Sequence, residues 1–352
     1  PSYPASRELC ALGGMIGKLF QINHLQLRST LHIAKTIGEL LHQVQQHFQL
    51  SPACVRVVEV VVAGDTDVEL LALRASGFTH LQLVLRHHTF CANYARRISR
   101  LIRLARELHF DSVAVTLEYG GSQHTLLALA RILKALLEAG PDQVALKWEH
   151  NPVSSLPGPP DADQVAAARV QLCWCIRHLN AAQYHYLGSL VFARQQDPLV
   201  RAQIMGRLHR NLFGYAILGE NNHIGCGPGA ITCVGNYYSQ NHTSVDAYRQ
   251  QLQSGQLPLA RELHLRMDDL LRRIIIHMLL CNFELSIAAL ELAYPICFRH
   301  YFAAELLRLK AMAQRNWLVI DEESLLVLAH GRLFITQICA IFDHYRSKAD
   351  QE

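Results

Sequence analysis

Long apolar runs are missing from this sequence. No stretch approaches the roughly 20 apolar residues of a membrane span, and the longest, Ile274 to Cys281, is interrupted by His277. No membrane partner is therefore expected. No secretory signal is visible, and the first residue is Pro1 rather than Met, which points to a start that was removed or lies upstream. The expected compartment is the cytoplasm. An excess of one charge is also missing: 33 Lys and Arg against 29 Asp and Glu leave +4, too little to argue for nucleic acid. Charged residues are 18% and hydrophobic ones 50%, the balance of a globular chain with much buried surface. Its 352 residues suffice for one large or two medium domains, and a monomer is expected.

Paired cysteines are absent as well. The ten cysteines stand scattered in apolar surroundings without a C-x-x-C pair, the pattern of small buried hydrophobes. Cys173 and Cys175 lie about 200° apart on a helix, so that helix alone cannot aim both at one metal. No metal site follows from these residues.

What is present begins with strand and helix patterns in alternation. Apolar residues from Leu27 to Val44 recur with a helical period over Gln26 to Gln46. Val55 to Val62 is a β-branched run typical of a strand buried on both faces. Asp65 is placed to cap a helix that ends near Gly77. Strands are expected at Leu81–Leu85, Ser112–Leu117 and Val144–Trp148, and helices at Asn93–Leu108 and Thr125–Glu138. This alternation gives a parallel sheet with right-handed crossovers and about four βα units. Pro152 to Asp163 reads as a linker or exposed loop. Asp163–Leu179 is an expected helix, and Gly188–Ala193 a further strand against which the glycine-rich stretch would pack. From Ser244 the pattern turns almost wholly helical, with a short hairpin at Trp317–Ile320 and Leu325–Leu328.

The most distinctive stretch follows His209-Arg210-Asn211. Gly225, Gly227, Gly229 and Gly235 fall within eleven residues, and Pro228 stiffens the loop. It is not a dinucleotide fingerprint, lacking the preceding hydrophobic strand and the acidic residue about 20 positions on. A tight strand-to-helix turn is the plain alternative. The order of motifs is more specific: H-R-N-x-x-G-Y, G-x-G-x-x-A-I, Y-x-Q-N, L-x-C-N-F-x-L over Leu279–Leu285, then H-G-R-L-x-I and I-C-x-x-F-D-x-Y over His330–Tyr345. From about Met205 to about Arg346 it resembles the C-terminal half of the oxygen-independent coproporphyrinogen III oxidases, radical S-adenosylmethionine enzymes of haem biosynthesis.

The resemblance implies an α/β fold: an incomplete radical-S-adenosylmethionine-type open (β/α) barrel followed by a mostly α-helical, winged-helix-like C-terminal domain. The expected segments are 1–150 for the partial barrel, 151–243 for the linker and glycine-rich region, and 244–352 for the helical domain. The family also implies a 4Fe-4S cluster held by C-x-x-x-C-x-x-C, with one iron open for S-adenosylmethionine. These 352 residues contain no such motif. Either an upstream segment supplies it or the protein never had it.

Residues further along bear on that choice. The family's Gly-Gly-Gly-Thr-Pro strand end matches only at Gly13 and Gly14. Its acidic residue on the next strand matches Glu59, which splits evenly between a cofactor contact and a structural carboxylate. Its glutamine is replaced by Arg86, its cofactor-holding aspartate by Thr116, and its Tyr-Gly-Leu-Pro turn reads Tyr119-Gly120-Gly121-Ser122. Arg86 and Thr116 together shift the pocket by about two positive charges, toward an anion and away from a sulfonium. Drift in an idle site accounts for the change equally well. In the family the Ala-Ile of the glycine loop reaches the cofactor region, which implies Ile231; His209, Arg210 and Asn211 are candidates for ordering that loop. Arg96, Arg100 and Arg103 read as a solvated helix face. His87-His88 follows a strand end where barrel sites form, which makes a haem ligand conceivable beside ordinary hydrogen bonding.

Two functions stand side by side. One is a paralogue linked to porphyrin and haem biosynthesis that keeps the fold, binds a tetrapyrrole or regulates, and has neither catalytic residues nor an assured cofactor. The other is an N-terminally truncated coproporphyrinogen III dehydrogenase that converts two propionates to vinyls with S-adenosylmethionine and a 4Fe-4S cluster.

Overall fold

The computed structural model describes residues 4–17, 19–29, 34–62, 70–85, 92–121, 125–149, 162–217, 219 and 222–345. Two compact units form. One comprises Pro1–Tyr186, Val191–Asp197 and Arg249–Leu257; the other comprises Leu187–Leu190, Pro198–Tyr248 and Pro258–Glu352. The three segments read from the sequence do not share these boundaries.

In the first unit the order is α1 (Pro4–Ile16), β1 (Gln21–Ser29), α2 (Ala34–His47), β2 (Gln49–Val62), α3 (Leu70–Ala75), β3 (His80–Leu85), α4 (Ala92–Glu107), β4 (Ser112–Tyr119), α5 (Leu126–Ala139), β5 (Gln143–Trp148) and α6 (Ala162–Ala181). β6 (Tyr184–Gly188), whose last two residues fall in the second unit, and β7 (Val191–Arg194) complete a seven-stranded sheet of order β1-β2-β3-β4-β5-β7-β6. β1 to β5 are parallel, and β7 runs antiparallel to β5. The strand expected at Gly188–Ala193 is instead a hairpin that turns at Ser189 and Leu190, both with positive φ.

The helix expected over Gln26–Gln46 is two elements. Gln26 to Ser29 finish β1, and helix resumes at Ala34. Leu25 and Leu27 alternate with Gln26 and Arg28, and pairing with the β-branched run of β2 outweighs the local helical period. The sheet therefore has five parallel strands where four were expected.

Register sorts the sheet into two faces. Val58, Val60, Val62, Leu81, Leu83, Leu85, Val113, Val115, Leu117, Val144 and Leu146 share one face and are buried. α4 and α6 lie against β4. In α4, Ile98, Leu101, Ile102 and Ala105 are buried while Arg96, Arg100 and Arg103 face solvent, as expected of an amphipathic cover. α5 is capped at its start by Thr125, whose side chain accepts from Ala128 N, and at its end by left-handed Gly140.

The second unit contains α7 (Pro198–Ile204), β8 (His209–Asn211), β9 (Gly214–Ala216), β10 (Ile231–Val234), β11 (Tyr237–Asn241), the first half of α8 (Val245–Gln253) and β12 (Leu259–His264). α9 (Met267–Asn282), β13 (Glu284–Ser286), α10 (Ile287–Ala293), α11 (Phe298–Tyr301), α12 (Ala303–Ala313), β14 (Leu318–Ile320), β15 (Ser324–Val327) and α13 (Ile335–Ala340) follow. The expected C-terminal hairpin is β14–β15, extended by β13 into three strands. Its turn is held by Asp321, which accepts from the N–H groups of Glu323 and Ser324.

Arg272 on α9 anchors the helical part. It pairs with Asp268 at 2.8 Å and Glu305 at 2.7 Å and lies 5.2 Å over the Phe302 ring. Burial alone would raise the Asp268 carboxyl, but hydrogen bonds from Arg272 and Tyr301 outweigh it and hold the group lowered. Among the described residues, no helix is long and apolar enough to cross a membrane.

Candidate functional site

The sheet face opposite the buried one carries polar side chains in successive strands. Arg28 and Glu59 are register partners, and Arg28 Nε lies 3.4 Å from Glu59 Oε2. Gln82, the next partner of Glu59, accepts from Gln26 Nε2 and donates to Thr116 Oγ1, each at 3.5 Å. Lys147 reaches Glu118 at 3.2 Å, and Gln143 donates to Asp197 at 3.0 Å. Burial lowers the pKa of His80 on the same face, against the raising charges of Asp111 and Asp142. A row of this kind presents the hydrogen-bonding and charged groups that can orient a polar ligand.

The expected residues that the structure describes have definite places. Glu59 lies on β2, three residues before its end, and Thr116 is buried on β4. Thr116 pairs in register with Val84, while Arg86, His87 and His88 lie outside the described residues. Gly13 and Gly14 do not form a strand end. Both are inside α1, and a Cβ on Gly13 would run into His47, so Gly13 permits close approach of that side chain. The strand that follows α1 ends instead on Arg28-Ser29. Arg28 is a candidate residue of this face that the sequence does not flag directly; the Leu25-x-Leu27 alternation is its signal. The Tyr119 turn needs its first glycine: Gly120 has φ +81°, its N–H donates to Gln171, and a Cβ there would overlap the Trp148 ring.

In the second unit the glycine stretch is a built loop. A Cβ on Gly225 would overlap the Ile231 carbonyl, and Gly225 N donates to Thr232 Oγ1 at 3.1 Å. Gly227 and Gly229 have positive φ. Asn241 donates to the Gly227 carbonyl at 2.9 Å and Gln240 to the Gly229 carbonyl at 3.4 Å. The Y-x-Q-N motif is thus the clamp of the glycine loop. Ile231, at the start of β10, is 37% exposed.

His209, Arg210 and Asn211 form β8. Asn211 Oδ1 accepts from Phe213 N, Arg210 lies 5.0 Å over the Tyr215 ring, and the His209 ring sits 5.2 Å from that of His277. Burial, then the charges of His209 and Arg273, lower the His277 pKa. Burial pushes the neighbouring Cys281 thiol up to about 12 against the opposing charge of Arg210. Cys173 is exposed and Cys175 buried, on different faces of α6 as expected. Among the described residues, no group of three or more His, Cys, Asp or Glu could hold a metal ion.

No family model matches the chain. The oxygen-independent coproporphyrinogen III oxidase of Escherichia coli (strain K12) is 32% identical over 337 residues, covering 89% of this chain and 71% of that protein. The chain belongs to the oxygen-independent coproporphyrinogen III oxidase family. The family member from Salmonella typhimurium is 34% identical over 331 residues, with the same 89% and 71% coverage. The solved structure described as "Coproporphyrinogen III oxidase (HemN) from Escherichia coli is a Radical SAM enzyme" superposes with a TM-score of 0.86 at 28% identity, covering 97% of this chain and 82% of that one. The family's α/β fold, with its parallel sheet and added helical part, is therefore the fold of this chain.

Proposed function

We propose that this family member does not use its sheet face for S-adenosylmethionine-dependent radical chemistry and serves porphyrin metabolism as a tetrapyrrole-binding or regulatory protein. The observation that carries the reading is the Arg28–Glu59 pair. By family resemblance Glu59 is the carboxylate that meets the cofactor, and here a guanidinium, which cannot shed its charge, engages it. The residues present do not fit a sulfonium cation. Thr116 in place of a carboxylate and Arg86 in place of an amide push the local charge in the same direction. An anion is the better match, and porphyrin propionates have that sign.

Retention of the glycine loop and its Asn241 clamp supports the alternative, a catalytic chain whose cluster cysteines come from elsewhere. Isothermal titration separates the two. The protein titrated with S-adenosylmethionine gives no binding heat, whereas coproporphyrin III binds and loses affinity in the R28A variant. Micromolar S-adenosylmethionine binding would sink the proposal and revive the catalytic reading, as would a cluster of about four irons after anaerobic reconstitution of the full gene product.

A further inference from the structure

The positive charge of this chain is concentrated on two helices. α4 and α5 together hold seven Lys and Arg against two Glu, a net +5, whereas the whole chain carries +4. All the other residues therefore sum to −1. The two helices lie side by side, and Ser99 Oγ of α4 donates to the Ala135 carbonyl of α5 at 3.0 Å.

Where these cations point matters more than their number. Arg106 is committed to Asp142 at 2.8 Å, and Arg97 is half-buried. Arg96, Arg100 and Arg103 on α4, and Arg131 and Lys134 on α5, are exposed. Their spacings of three and four residues hold each set on one stripe, opposite the buried Ile98 and Ile102 of α4 and the buried Leu129, Leu133 and Leu136 of α5. Among the described residues none of the five is in an ion pair: Arg96 donates to Asn93 and Arg103 to the Ser99 carbonyl, each within its own helix. Like charges one turn apart repel, and an opposing anionic surface relieves that repulsion.

The same face carries exposed apolar groups. Leu127 lies on the α5 stripe one turn before Arg131 and is 62% exposed, and Leu126 beside it is 37% exposed. A nucleic acid would use the cations but finds no base-stacking platform, since Tyr94 is the one aromatic residue of the two helices and is buried. A free phosphate makes no use of the leucines. A lipid bilayer uses both kinds of group, with headgroup phosphates for the guanidiniums and the acyl boundary for the leucines. We propose that the exposed face of α4 and α5 is a docking surface for an anionic lipid bilayer, with the five cations meeting headgroup phosphates and Leu127 entering the acyl boundary. Contact of this kind lies on the membrane surface and needs no spanning helix. It is independent of the sheet-face reading, because none of these side chains belongs to that face.

The test is co-sedimentation of the whole chain with vesicles, one set of phosphatidylcholine alone and one of phosphatidylcholine and phosphatidylglycerol in equal parts. Only the anionic vesicles should carry the chain down, and less of it as salt rises. The R100Q/R131Q variant should bind them about 30-fold more weakly, the equivalent of about 1 kcal/mol for each cation removed. R100K/R131K, which keeps the charge, should bind like the wild type, and Leu127→Gln should bind several-fold more weakly. Equal binding to neutral vesicles, binding to neither set, or a lysine variant as weak as the glutamine one overturns the proposal. So does Leu127→Gln sedimenting like the wild type, since the leucine would then stay outside the bilayer. Fluorescence anisotropy with labelled polyuridylate is the last arm: tighter binding to it than to the anionic vesicles would make the face a nucleic-acid surface and overturn the bilayer as its occupant.

Discussion

The polar sheet face and the glycine loop have fared differently within one chain. On the sheet face, Thr116 stands where the family resemblance calls for a carboxylate, and the strands stay in register because the opposite face supplies the burial. In the loop, the motif residues are the ones that hold the backbone: Gly225 fits where a Cβ would strike Ile231, and Asn241 closes the turn at Gly227. Side chains that only face a ligand can change without unfolding anything. Side chains that satisfy the backbone groups of a half-buried loop change at a larger cost.

Four measurements would break or sharpen this contrast. The largest effect is expected for Arg272→Ala, which leaves the Glu305 carboxylate, 13% exposed, without its cation. Denaturant unfolding should show the second unit losing about 3 kcal/mol. Asn241→Ala removes the donor to the Gly227 carbonyl and should cost about 1–2 kcal/mol, with faster amide exchange at Gly229 and Ala230. A loop as protected as the wild type's would show that the motif is not its clamp. The third effect is a pH dependence. The folded-state pKa of His277 is lowered from 6.5, so its contribution to stability is full above the unfolded value and is lost as pH falls from 6.5 through the folded value. His277→Gln should flatten that acid slope in chemical unfolding curves. The smallest is Arg28→Ala: its side chain is 54% exposed, and its stability cost should be about 0.5 kcal/mol or less. A cost as large as that of Arg272→Ala would make Arg28 a structural residue and erase the contrast.

The sequence made some of this legible and hid the rest for physical reasons. β3, α4, β4, α5 and β5 could be read because each pairs a clear apolar period with a turn signal such as Gly77 or Gly140. β1 could not, because its residues are nearly all half-buried and its strand character comes from pairing with β2. Misreading β1 hid Arg28 and made the helical glycines Gly13 and Gly14 look like a strand end. Glu59 and Thr116 were visible by resemblance, but their links to Arg28 and Gln82 run between strands far apart in sequence. The Y-x-Q-N motif was visible too; that its amides reach back to the glycine carbonyls is a tertiary fact.

The two thiols of α6 turn that helix into its own reporter. Cys173 faces solvent, while Cys175 sits on the covered side with its thiol pushed up to about 12 by burial. A thiolate-seeking reagent at neutral pH meets the first freely and the second only when the helix lifts. The ratio of the two alkylation rates therefore measures how often α6 parts from the protein beneath it, without any engineered probe.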